Sequence, residues 1–331
     1  MLLRLSHRNC RHTQILGYQV KIIEGACTSL IAVWLFCGPA SAGPYATGEL
    51  VHSKDSDQFH IDSYGAGFGV YTSGENFYER VGFSRSSLHF AAPGFSMHGN
   101  STAINIASIM KLQSSPIKGE AELTSLELPG WATTTGSLQI SGQAAQTVNY
   151  EVRAEKNYVD SVNSLSRHVT YDAMTFAADY EITPRLNVAG VLGSLSFSDR
   201  NRRALLKAKA SYVLSEELGI RTYLKLSRHS NTLPYTGNYF SPDKFHDYQV
   251  GLGFRRRLSA LRGVLSGYVE RGSQSADGVS TPVHGEQLRL EAFPNRPWHF
   301  DLAAGIQTSA GTGGGTNYEY RYARASVVWP F

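Results

Sequence analysis

From about residue 58 to the C-terminus, the chain alternates apolar side chains with polar or small ones. A period of two marks β-strands, whose successive side chains point to opposite faces. The last run is the clearest: Phe331, Trp329, Val327, Ala325 and Ala323 share one face, while Val328, Ser326, Arg324, Tyr322 and Tyr320 share the other. The same division sets Trp298, Phe300, Leu302, Ala304 and Ile306 against His299, Asp301, Ala303, Gly305 and Gln307. It sets Tyr248, Val250, Leu252 and Phe254 against Asp247, Gln249, Gly251, Gly253 and Arg255, and Met174, Phe176, Ala178, Tyr180 and Ile182 against Thr175, Ala177, Asp179 and Glu181. One face is consistently apolar and the other wet.

Turn-forming residues separate the runs, and two kinds of connection alternate along the second half. Short ones are expected at Thr183-Pro184, Ser215-Glu216-Glu217, Ser259-Ala260 and Pro294–Pro297. Longer or more flexible ones are expected near Ser198–Arg202, Leu233–Asp243, Ser273–His284 and Ala310–Asn317. Alternating short and long ends suit an outer-membrane barrel with tight periplasmic turns and larger outer loops. A soluble sandwich rarely keeps strands this long. The expected fold class is all-β, a transmembrane antiparallel up-and-down β-barrel. At roughly 18 residues per strand and turn, the 289 residues after position 42 make about 16 strands, with 14–18 as the range. Fifteen runs segment cleanly, and even parity asks for one more near Gly48–Ser53 or implies one wrong split between residues 94 and 146, where the alternation is weakest. Trp298, Trp329 and Phe331 fall at the short-turn end and Tyr318, Tyr320 and Tyr322 at the other, the placement of two aromatic girdles. Trp329 and Phe331 read as a C-terminal barrel-assembly signal, which implies the barrel assembly machinery and outer-membrane lipid as partners. Pro330 lacks an N–H, which only a strand end tolerates.

No stretch approaches the length of a helical membrane span. Residues 1–42 read as a secretory signal: Arg4, Arg8, Arg11 and Lys21 precede an apolar run from Ala26 to Cys37, followed by Pro39-Ala40-Ser41-Ala42. The basic segment is long for a signal and admits a downstream start. Residues 43–331 then form the barrel. Residues 1–42 hold four basic residues and one acidic one, so 27 Lys and Arg face 26 Asp and Glu in the remainder. All three cysteines leave with the signal, so a backbone hydrogen-bond ladder must hold the barrel together. A near-neutral chain with no basic run gives no reason to expect nucleic acid.

Chemical motifs are sparse. GxxxxGK[ST] and HExxH are absent, and no cofactor, metal or catalytic group is expected. His246-Asp247 and His229-Ser230 are neighbours in a strand, so the members of each pair point to opposite faces. His299 and Asp301 share a face and are read as wall residues. The inward charges say more. Asp179, Glu181, Arg221, Lys225, Asp247, Arg255, Arg262, Glu270, Arg289, Glu291, Asp301 and Arg324 are assigned to the water-filled interior, with Tyr223, Tyr268, Tyr320 and Tyr322 offering ring faces to a sugar. Charges that pair across the wall and a conduit for a polar solute are compatible readings of the same residues.

Val159-Asp160-Ser161-Val162-Asn163-Ser164-Leu165, Phe197-Ser198-Asp199-Arg200-Asn201-Arg202-Arg203 and Asn238-Tyr239-Phe240-Ser241-Pro242 resemble, in order and spacing, segments in the C-terminal barrels of bacterial exopolysaccharide exporters. The poly-β-1,6-N-acetylglucosamine export porins are nearest and the cellulose secretion barrels more distant. The motifs cover roughly residues 150–331. The resemblance implies a 16-stranded barrel in the outer membrane through which a polysaccharide threads. Those exporters carry periplasmic helical repeats, and no such period exists here, which leaves a separate helical-repeat protein as a candidate partner. Arg200 stands where the family usually has Gly. The expected function is a porin-like conduit for an exopolysaccharide of biofilm matrix, not an enzyme. A general or sugar-specific diffusion porin and a barrel enzyme acting on lipid or peptide are the alternatives.

Overall fold

The computed structural model describes residues 43–72, 78–112, 115–260, 262–293, 298–311 and 317–331. The expected signal segment, the turn at Pro294–Pro297 and most of the loop after Ala310 lie outside these residues. The first eight strands are β1 (Pro44–Asp55), β2 (His60–Tyr71), β3 (Arg80–Ala92), β4 (Phe95–Leu112), β5 (Ser115–Leu128), β6 (Trp131–Ala145), β7 (Val148–Tyr158) and β8 (Thr170–Thr183), with a one-turn helix α1 (Val162–Ser166) between the last two. The second eight are β9 (Leu186–Phe197), β10 (Arg202–Ser215), β11 (Ile220–Asn231), β12 (Lys244–Leu258), β13 (Gly263–Ala276), β14 (Val279–Ala292), β15 (His299–Ala310) and β16 (Asn317–Pro330).

Each strand pairs antiparallel with its sequence neighbour, and β1 pairs with β16 to close the barrel. Parity is satisfied by β1, which contains Gly48–Ser53, while β4, β5 and β6 fill the weakly alternating stretch. Closure runs from Tyr45 opposite Pro330 to Asp55 opposite Tyr320, and the Phe331 N–H donates to the Pro44 carbonyl at 3.1 Å. Pro330 therefore sits at a strand end, where its missing donor costs least. A closed ladder leaves no edge and satisfies the backbone in a medium without water.

The two faces are those the alternation predicts. In β8, Met174, Phe176, Tyr180 and Ile182 are exposed, whereas Ala177 and Asp179 are buried. Leu50, Phe68, Phe83, Ile104, Leu123, Leu192, Leu224 and Leu288 extend the outward apolar belt around the wall. So continuous an exposed apolar surface requires lipid as its solvent.

Three expectations need correction. The stretch Ser273–His284 is not a long loop, because β13 and β14 run through it and turn in two residues, Asp277 and Gly278, with φ of +50° and +87°. Positive φ at both positions is the primed turn whose twist matches a hairpin. Its Ser, Gly and Gln content mimics a loop because a strand with one face in water carries such residues legitimately. The connection at Ser198–Arg202 is also short, since β10 begins at Arg202. Tyr320 and Tyr322 do not form an outer girdle. They pair with Asp55 and Ser53, whose side chains face inward, and partners directly across a ladder share a face. At the other end the girdle is present, with the Trp298 and Trp329 rings 5.9 Å apart.

Candidate conduit and the assembly at its mouth

The inner wall bounds a cavity of about 2090 Å³. Alternation puts Asp179, Glu181, Arg221, Tyr223, Lys225, Asp247, Arg255, Tyr268, Glu270, Arg289, Glu291, Asp301, Tyr320, Tyr322 and Arg324 on that wall. Arg262 is the exception. It lies exposed in the turn between β12 and β13 with φ of +41°, because β12 ends at Leu258 and the strand pattern does not continue through it. Trp329 and Phe331 are exposed on the outer face.

The inward charges meet one another. Glu270 is 1% exposed and accepts from Lys225 Nζ at 2.7 Å and from Tyr223 Oη at 2.9 Å. Lys209 Nζ lies 3.7 Å from the centre of the Tyr223 ring. Gly251, directly across from Tyr223, leaves room for the phenol, since a Cβ there would lie 2.2 Å from Tyr223 Cζ. A second group joins Arg289 to Asp301 at 2.6 Å through Nε and to Glu291 at 2.8 Å, with Arg255 3.9 Å from Glu291. Arg324 pairs with Glu49 at 3.1 Å, Arg153 with Glu155 at 2.7 Å, and Asn187 donates to Asp179 at 3.0 Å. The wall therefore carries many fixed charges, and the pairs joined here offset one another within a few ångström.

At the end away from the chain termini, two long connections fold inward. The β7–β8 connection carries α1, whose Ser161 cap accepts from the Ser164 N–H at 3.2 Å. Leu165 and Tyr158 pack with Phe59, Leu88, Phe90, Leu126 and Leu128 into an apolar cluster on the inner face of β3 and β5. The β11–β12 connection lies against the opposite wall. There Asp199 accepts from Tyr239 Oη at 3.1 Å and from Asn238 Nδ2 at 3.0 Å, and Asn201 Nδ2 donates to Tyr239 Oη at 3.0 Å. Arg203 donates to the Phe240 carbonyl at 2.5 Å and to Asn231 Oδ1 at 2.9 Å, and its guanidinium lies over the stacked Phe197 and Tyr239 rings.

The two connections then meet. The Asn238 carbonyl accepts from the hydroxyls of Ser161 and Ser164, Arg167 donates to Asn238 Oδ1 at 2.8 Å, and Asn163 Nδ2 donates to the Gly237 carbonyl at 2.8 Å. The three sequence segments singled out above thus form one hydrogen-bonded bridge across the mouth. Arg200 has φ of +71°, the left-handed region that explains why glycine suits this position. Sequence reasoning placed these segments but missed that they touch, and it missed the apolar cluster, since neither contact is local. Asp160 keeps some solvent contact yet lies deep among protein atoms. Burial, aided by the nearby Asp55 carboxylate, pushes its pKa up to about 7.

The tempting histidine pairs do not assemble. His229 faces inward and stacks on Phe245 at 4.4 Å, whereas His246 and Asp247 point to opposite faces of β12.

No protein-family model matches the sequence, and no curated protein matches it. Among solved structures, a bacterial polysaccharide outer membrane secretin is similar over 86% of this chain and 98% of its own, with a TM-score of 0.66 and 12% identity. Pseudomonas aeruginosa OccK7 (OpdD) is similar over 88% of this chain and 99% of its own, with a TM-score of 0.47 and 10% identity. The first likeness matches, in fold, the export-porin resemblance read from the sequence. With its closed ladder and lipid-facing belt, the chain is a sixteen-stranded barrel of the bacterial outer membrane.

Proposed function

We propose that the barrel is a conduit through which an exopolysaccharide, of the poly-N-acetylglucosamine or cellulose type, leaves the cell for a biofilm matrix. The observation that carries this reading is the bridge: the three segments resembling exporter barrels converge on one assembly across the mouth. The wall below suits a neutral or weakly charged chain of sugars, since much of its charge is held in ion pairs such as Lys225–Glu270 and Arg289–Asp301. Tyr320 and Tyr322, with ring centres 6.0 Å apart and planes inclined by 26°, offer a two-ring face to a pyranose. The secretin with the similar fold is itself a polysaccharide protein by its description, which agrees with this reading. Residues 1–42 would direct export, Trp329 and Phe331 would engage the assembly machinery, and a separate helical-repeat protein would feed the polymer from the periplasm.

Deleting the gene is expected to abolish surface polysaccharide, and the wild-type gene to restore it; unchanged secretion would refute the proposal. A diffusion porin for small sugars is the second reading, favoured by the size of the cavity. It predicts uptake of small sugars and unaltered polymer in the same strain.

A further inference from the structure

A row of histidines crosses four strands on the outer surface, near the loop end. The registers place His52 of β1 opposite Asp62 of β2, Asp62 opposite His89 of β3, and His89 opposite His98 of β4. Direct partners across a ladder share a face, so all four side chains lie side by side. His60, two residues before Asp62, shares that face and brings its ring to 5.7 Å from that of His89. One ligand atom from each of His60, Asp62 and His89 lies within 4.8 Å of the others.

The surroundings hold this group in place. His52 Nδ1 lies 2.6 Å from Asp62 Oδ1, which orients the carboxylate and leaves Oδ2 turned toward His89 Nδ1 at 3.8 Å. The His98 ring stacks flat on His89 at 4.1 Å and fixes its plane, and Ser96 Oγ lies 3.3 Å from His89 Nε2. Just below the row, Leu50 and Tyr64 are exposed members of the apolar belt, so the row sits at the polar edge of the membrane. Metal ions from outside can reach it there.

We propose that His60, Asp62 and His89 bind a divalent transition-metal ion, zinc foremost. Two imidazoles and one carboxylate with a position left for water are a donor set that suits Zn²⁺. Ligand bonds of about 2.0–2.2 Å require the three donor atoms to draw closer than they now stand, which small side-chain rotations supply. His52, in contact with the Asp62 carboxylate, holds that ligand in orientation. Bound metal would tie β2 to β3 at the outer rim. Sequence alone gives no reason to expect a metal, because His60 and Asp62 sit two residues apart on β2 but His89 joins them only through the β2–β3 register.

The test uses the full-length barrel without a polyhistidine tag, in detergent, titrated with Co²⁺ and followed by visible absorption, with Zn²⁺ as competitor. One equivalent is expected to give ligand-field bands that Zn²⁺ abolishes. His60→Ala, His89→Ala and Asp62→Asn should each weaken Zn²⁺ by at least about tenfold, whereas His284→Ala, on β14, should not. Heat-modifiable gel migration checks that each variant is a folded barrel. The proposal is overturned if folded His60→Ala and His89→Ala bind like the wild type, or if the unmodified barrel shows no saturable binding.

Discussion

Ser164 Oγ donates to the Asn238 carbonyl at 2.8 Å across 74 residues of sequence, joining the two connections that fold into the mouth. Ser161 makes a second bond to the same oxygen. Together these hydroxyls contribute about 2 kcal/mol, taking roughly 1 kcal/mol for each net hydrogen bond. Replacing both with Ala should speed amide exchange in residues 159–169 and 232–243 on the order of 30-fold, with β-strand protection unchanged. Unaltered exchange in both connections would show that the bridge does not hold them.

Lys225 and Glu270 form a deeply enclosed ion pair of the wall, with side-chain exposures of 11% and 1%. Lys225→Met strands a buried carboxylate and should lower unfolding stability in urea by about 3–5 kcal/mol. Adding Glu270→Gln should recover much of that loss, because the charge needing a partner is gone. A double variant as unstable as the single one would refute the pairing argument.

Arg200 holds a left-handed backbone conformation that costs a residue with a Cβ about 1 kcal/mol. Arg200→Gly should therefore stabilise the β9–β10 turn by about 0.5–1 kcal/mol. Urea unfolding followed by tryptophan fluorescence measures it, and a clear destabilisation would contradict the account.

The outcome for the sequence follows from how far each signal reaches. Facing directions such as Met174 outward and Asp179 inward were legible, since a period of two needs only neighbours along one strand. Strand ends are less legible: alternation alone extends the wall through Arg262 and reads Ser273–His284 as a loop, because polar residues serve water-filled strands and turns equally well. The meeting of Asn238 with Ser161 and Ser164 was not readable at all from spacing. Only the family resemblance marked those residues, and it said nothing of their contact.

Asp160 should give the mouth a pH dependence. Its pKa rises from 3.8 to about 7 in the fold, so the folded connection prefers the protonated acid. Its contribution to stability is complete below the ordinary carboxylate range and is lost as pH climbs through about 7. The bridge should open more often at about pH 9 than at about pH 5, and Asp160→Asn should flatten that difference. Open probability in planar bilayers reads this directly, and the same pH response in the variant would exclude Asp160 as its source.

The central claim is that a water-filled passage crosses the membrane and that the bridge obstructs its mouth. Single-channel recording of the purified barrel in planar bilayers tests both parts, comparing the wild type with a variant in which Ser161, Ser164 and Arg167 are all Ala. The expected result is a low conductance for the wild type and a clearly higher, longer-lived one for the variant. Equal conductances would contradict the obstruction, and two silent membranes would contradict the passage itself.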